Sequence, residues 1–190
     1  MAKKPQSHVV EAVSLTTAPP VIGAPTLTVA DIAQALMPIA PDVAGTVQRI
    51  RHWTRERMLL PIDQHHAGPG KHRLYHADAV YEAAILHTLT VFGLPVAGSR
   101  VMTDGLTKAR LAISKWKTAQ AKGRTWNPVL VVLMANTSRT PGGLGPVLTV
   151  GVYQAGEEIK KIEGFHLADT VLTIKLELGK LFAQVSHGRS

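Results

Sequence analysis

A chain of 190 residues is long enough to bury a core of its own, and a hydrophobic fraction of 45% sets it apart from disordered proteins. Lysine and arginine total 21 against 13 acids, a formal charge of +8 with a pI near 10.0, which draws polyanions and nucleic acid above all. The absence of cysteine excludes disulfides, thiolate metal sites, iron–sulfur clusters and a cysteine nucleophile, and fits a reducing cytoplasm.

Residues 1–26 hold Pro5, Pro19, Pro20 and Pro25 among small and hydroxylated residues, with no helical or strand period. They predict a disordered arm. No long apolar core follows the basic start MAKKPQSHVV, so a secretory signal is not expected. No apolar run reaches the roughly 20 residues that span a bilayer, so no membrane partner is expected either.

Thr28 is placed to cap a short helix in which Val29, Ile32, Ala33 and Leu36 share a face. Pro38 and Pro41 enclose a turn, and Asp42 can cap a second helix. In that helix Val43, Val47, Ile50 and Thr54 form the expected packing face, while Gln48, Arg49, His52 and Arg55 lie around the opposite side. Arg57 stands where a closing glycine is usual, so the helix is expected to run on to Met58. Gly68, Pro69 and Gly70, flanked by Lys71 and Arg73, predict a β-hairpin. Asp78 starts a third helix that stops at Gly93 and Pro95.

Between Val96 and Lys122 the pattern is helical, and Leu106, Ala109, Ile113 and Trp116 are spaced like a short coiled-coil seam. Gly105 weakens its middle, so the pattern fits either one helix or two. Its surface carries Arg100, Lys108, Arg110, Lys115, Lys117 and Lys122, with Asp104 the only acid. Beyond Gly123, NPVLVVLMANTS, GPVLTVGVYQAG and DTVLTIKLEL predict three antiparallel strands, closed by a helix near Gly179 to Val185. Such a sheet is expected to leave part of Val129, Val131, Leu148, Val150, Leu172 and Ile174 without cover, a drive toward a second copy.

From residue 43 to 76, Arg49, Arg51, Arg55, Arg57, Lys71 and Arg73 face only Glu56 and Asp63, so the positive excess is local. The segments LTVADIAQAL…RIRHWTRERMLLP and GKHRLYHADAVYEAAILHTLTVFGLP resemble the N-terminal domain of the MerR family. Ile50 and Arg51 fall on that family's Leu-Arg, His52 and Trp53 on its two tyrosines, and Arg55 on its second arginine. Met58, Leu59 and Pro61 match Leu-Leu-x-Pro. Gly70, Arg73 and Tyr75 match the wing, Asp78 and Val80 the next helix start, and Phe92, Gly93 and Leu94 its stop. The chain departs from the pattern in the inserted turn MPIAPD, in Thr54 for a glutamate and in Arg57 for a glycine.

The resemblance implies a bacterial transcription regulator that binds double-stranded DNA through a winged helix-turn-helix. Arg51, His52 and Arg55 are then the base contacts, joined through helical periodicity by Gln48 and Arg49. Lys71, Arg73 and Tyr75 are the wing's phosphate contacts. Trp53 stays open between the interface and the core. The resemblance also implies a homodimer on an inverted repeat, with RNA polymerase as a further partner. The expected architecture is α+β: an arm over 1–26, a winged-helix domain over 27–97, a connecting or dimerisation helix over 98–124 and a small antiparallel β-rich domain over 125–190 that serves dimerisation, effector binding or both. A chain ending near Gly123 is then a monomeric head. Cytoplasmic, nucleoid-associated placement follows.

Two other functions fit the same residues: an architectural or recombination-directionality factor on DNA, and a protein-interaction module. Neither a nucleophile elbow, a P-loop, a dinucleotide-binding glycine pattern nor paired carboxylates stand in context, so no enzyme, catalytic residue or cofactor is expected. GGLG at 142–145 has no following helix, and Asp169 and Glu177 are isolated acids. His65, His66, His72 and His76 cluster without a familiar ligand spacing, so no metal is expected.

Overall fold

The computed structural model describes residues 26–62, 73–94, 100–136, 146–156, 161–162, 165–166 and 170–187. It is an α+β protein, with five helices among the described residues. In chain order come β1 (Thr26–Leu27), α1 (Val29–Ala35), α2 (Val43–Arg55), β2 (Tyr75–His76), α3 (Ala79–Val91) and α4 (Arg100–Ala121). Then follow β3 (Pro128–Asn136), β4 (Pro146–Gln154), β5 (Lys161–Ile162), β6 (Phe165–His166), β7 (Thr170–Glu177) and α5 (Leu178–His187). Among the described residues no helix is long and apolar enough to cross a membrane. The arm expected before Thr26 lies outside the described residues, as do Lys71, the Gly68–Gly70 turn, the glycines at 142–145 and Asp169.

Short-range chemistry sets the helix limits. Thr28 caps α1 in a reciprocal box: its hydroxyl accepts from the Asp31 amide at 3.2 Å, and its own amide donates to the Asp31 carboxylate at 2.8 Å. These bonds favour the ionised carboxylate and hold Asp31 below the usual range, the amide of Thr28 contributing most. Asp42 caps α2 by accepting from the Gly45 amide at 2.9 Å. Asp78 precedes α3 as expected but makes no capping bond; its carboxylate instead holds Lys117 at 2.6 Å.

Three helices end in the same way. After α3 the amides of Gly93 and Leu94 donate to the carbonyls of Thr90 and Leu89, and after α4 those of Gly123 and Arg124 donate to Gln120 and Ala119. Both glycines have positive φ, as this closure requires. After α2 the amides of Arg57 and Met58 donate to Thr54 and Trp53, with Arg57 at φ 58°. The helix therefore does not run on to Met58. It closes in the left-handed region without glycine, because Met58 and Leu59 must turn inward, where they are 3% and 0% exposed. Arg57→Gly removes the Cβ penalty of that conformation and is expected to stabilise the chain by about 1 kcal/mol. Denaturant titration checks this as a higher midpoint at unchanged slope.

The expected strands form one antiparallel sheet in the order β4-β3-β7. Alternation along β3 sorts its two faces. On one face Leu130 lies between Val152 and Leu176, and Val132 between Val150 and Ile174. Helices α4 and α5 cover this face, and its residues join Ile32, Ile50, Leu86 and Phe182 in one continuous core. On the other face Val129, Val131 and Leu133 are buried with Tyr153 packed against them. The expected shortage of cover is thus not found at Val129, Val131, Val150 or Ile174; Leu172 remains 42% exposed.

Helix α4 resolves one open point and differs from expectation in two respects. It runs unbroken through Gly105, which sits against β4: a Cβ there would come within 2.8 Å of Val150 Cγ1. The glycine allows helix and sheet to approach rather than breaking the helix. The seam of Leu106, Ala109, Ile113 and Trp116 is buried within the chain's own core. Finally, the surface cations divide. Lys108 donates to the Val150 carbonyl at 2.9 Å, Arg110 donates to Glu82 at 2.9 Å and to the Met58 carbonyl at 3.2 Å, and Lys117 pairs with Asp78.

Candidate nucleic-acid interface

Helix α2 is held from behind. Thr46, Ile50, Trp53 and Thr54 are buried, and Arg110 fastens the chain just past its closing turn. Trp53 is 2% exposed, so its large indole belongs to the core. Its burial rotates the packing stripe toward Thr46 and leaves Val43 and Val47 half-buried at its border. The rotation carries Arg49 onto the flank, where its Nε donates to the Gly45 carbonyl at 3.4 Å and its guanidinium lies 3.9 Å from Asp42. Gln48, Arg51, His52 and Arg55 remain on the exposed side.

β2 is short and pairs with β1, Leu27 opposite Tyr75 and Thr26 opposite His76. The strand ahead of α1 is one neighbour of β2; the expected hairpin turn lies outside the described residues. The two ends of the 63–72 segment are joined where the Ile62 amide donates to the Leu74 carbonyl at 2.8 Å. Tyr75 is fully buried. The Thr54 hydroxyl donates to the Ile50 carbonyl at 2.8 Å, so the Tyr75 hydroxyl donates to Thr54 Oγ1 at 2.8 Å. With its hydroxyl engaged inside, Tyr75 is a wall residue and not the phosphate contact expected of it. Thr54 earns its place as the acceptor of this buried bond.

Between these elements opens a cleft of about 660 Å³, lined by Thr28, Val29, Ala30, Val47, Tyr75 and the arginines Arg51, Arg55 and Arg73. Arg51 and Arg55 stand one turn apart on α2, and Arg73 faces them from the segment before β2. Among the described residues no acid lines the cleft, and no side chain pairs with any of the three guanidinium groups. A guanidinium presents a planar fork of donors that matches two oxygens of a phosphate, or O6 and N7 of guanine. The cleft thus brings together Arg51, Arg55 and Arg73 from the expected set. Gln48 and His52 are exposed on α2 but do not line it, nor does Arg49, and the Thr28–Ala30 wall carried no sequence signal beyond the cap.

Behind the site, His87 of α3 fixes the inserted turn between α1 and α2. It is 6% exposed, its Nε2 lies 3.2 Å from the Ile39 carbonyl, and its Nδ1 is buried without a partner. Burial, with Arg49 nearby, holds its pKa below the ordinary value, against the opposing effect of the Ile39 carbonyl. The ring is neutral, and Nε2–H donates. Below about pH 6.5 the unfolded chain takes up a proton that the folded chain refuses, so stability is full above that pH and falls beneath it. The melting temperature is expected to drop between pH 7.5 and 5.5, and less so in His87→Gln, which keeps an N–H for Ile39. Equal slopes for the two proteins would contradict this role.

Among the described residues no three metal-ligating side chains gather; His65, His66 and His72 lie outside them, and His76 is exposed on β2. No family model matches the chain, and no curated protein matches it either.

Proposed function

We propose that this protein is a sequence-specific regulator that binds double-stranded DNA, with α2 as a recognition helix of the MerR type. The carrying observation is the cleft in which Arg51, Arg55 and Arg73 meet with no acid and no side-chain partner among the described residues. Arg51, His52, Arg55 and Gln48 then read base edges in the major groove, while Arg73 and Lys71 hold backbone phosphates. A 13-residue helix is only about 20 Å long and covers one half-site, so two copies on an inverted repeat are part of the reading. At a promoter, RNA polymerase becomes a further partner.

Selection of bound duplexes from a random library tests the proposal, followed by titration of the enriched sequence across salt concentrations. A palindromic consensus, a complex with two chains per duplex by light scattering, and affinity falling steeply with salt are expected. Absence of any enriched sequence would overturn the reading.

A further inference from the structure

A second basic surface lies at the far end of α4. Lys115, Lys122 and Arg124 are exposed, and none of the three side chains has a partner among the described residues. The contrast is within one helix, since Lys108, Arg110 and Lys117 are all engaged by internal acceptors. Lys115, Lys122 and Arg124 border a groove of about 410 Å³, whose wall includes Trp126, Thr118 and Thr125. Among the described residues no acid lines it.

Compensation of the helix dipole does not account for this arrangement. A helix C-terminus carries about half a negative charge, which one cation in the last turn answers. None of the three lies in the last turn of α4: Lys115 precedes it, and Lys122 and Arg124 follow the end of the helix at Ala121. The volume falls within the range of roughly 300–1,000 Å³ typical of small-ligand sites. Trp126 is half-buried and packs against the core, whereas Trp53 and Trp116 are 2% and 8% exposed. The Thr118 hydroxyl donates to the Ser114 carbonyl at 2.9 Å, which leaves its lone pairs free to accept. Cations beside an aromatic wall suit a ligand that joins phosphates to a flat ring.

We infer that this groove binds a nucleotide, with its base against Trp126 and its phosphates on Lys115, Lys122 and Arg124. The same chemistry can come from a free nucleoside triphosphate or from an unpaired nucleic-acid strand. The inference does not rest on duplex binding through α2.

Titration of the full chain with ATP, with an oligothymidylate and with inorganic pyrophosphate tests it, followed through tryptophan fluorescence and confirmed by equilibrium dialysis. Saturable quenching by ATP or the oligothymidylate is expected, because Trp126 is the accessible indole. The tighter of the two identifies the source. Lys115→Ala/Lys122→Ala should weaken that binding about tenfold or more at unchanged circular dichroism, and Trp126→Phe should abolish the quench while dialysis still detects ligand. Three results would each overturn the site: no saturable binding of either nucleotide probe, equal affinity for pyrophosphate, or a double variant that loses affinity for duplex DNA alone.

Discussion

Phe182→Ala is expected to destabilise the chain by about 3–5 kcal/mol and to lower its melting temperature by roughly 10 °C. Phe182 is fully buried and meets Tyr81 and Trp116 in three mutual edge-to-face contacts, with ring centroids 5.1, 5.3 and 5.6 Å apart. Each such pair adds about 0.5–1.5 kcal/mol to the burial itself, and alanine leaves a cavity that three helices enclose. The rings come from α3, α4 and α5, so the loss falls on residues either side of position 124. Calorimetry should record one transition for the wild type and one for the variant, because the core is continuous from Ile32 to Val185. For the same reason a chain ending at Gly123 is expected to keep helical circular dichroism without a cooperative melt. Its Ile113 and Trp116 would lose the cover that α5 and β3 provide. Two separate transitions in the full chain, or a sharp melt of the shortened one, would show two independent cores.

The contrast between what was and was not legible follows from range. Caps and stops were legible because they depend on neighbours: Thr28 and Asp42 at helix starts, Gly93 at a helix end. The three strands were legible from β-branched runs between breakers. Arg57 misled because a local propensity favoured continuation, whereas burial of Met58 and Leu59 required the turn. Gly105 left one helix or two open for the opposite reason: helix propensity counts a glycine as a weakness, and only the packed sheet reveals that Val150 needs the space. Among the expected site residues, Arg51 and Arg55 share the exposed side of α2, which helical spacing displays, whereas only the fold shows that Arg73 faces the same cleft. Arg49 on the flank and Tyr75 in the interior depend on Trp53 and Thr54, whose burial no spacing rule supplies. The sequence likewise displayed Lys115 and Lys122 on a basic helix, but only tertiary contacts separate them from Lys108, Arg110 and Lys117.

Arg51→Ala/Arg55→Ala is expected to reduce specific duplex affinity by a factor of about thirty to some tens of thousands. Each guanidinium that engages a base edge contributes roughly 1–3 kcal/mol, and the two face one cleft from successive turns of α2. Neither has a side-chain partner among the described residues, so the double variant should keep the wild-type melting temperature. Arg73→Ala should act differently. A phosphate contact supports every sequence alike, so enriched and scrambled duplexes should both weaken, and the slope of log affinity against log salt should fall by about one. Arg49→Ala is the internal control. Its guanidinium lies on the flank beside Asp42, and it opposes protonation of His87 from there. Removal of that charge should leave duplex affinity within about twofold while raising the His87 pKa, which weakens the acid dependence of stability. Mobility-shift titrations on all four proteins separate these roles. If Arg49→Ala weakens binding as much as the double variant, the contact surface lies on the other flank of α2. If no variant changes affinity, the three arginines serve some ligand other than duplex DNA.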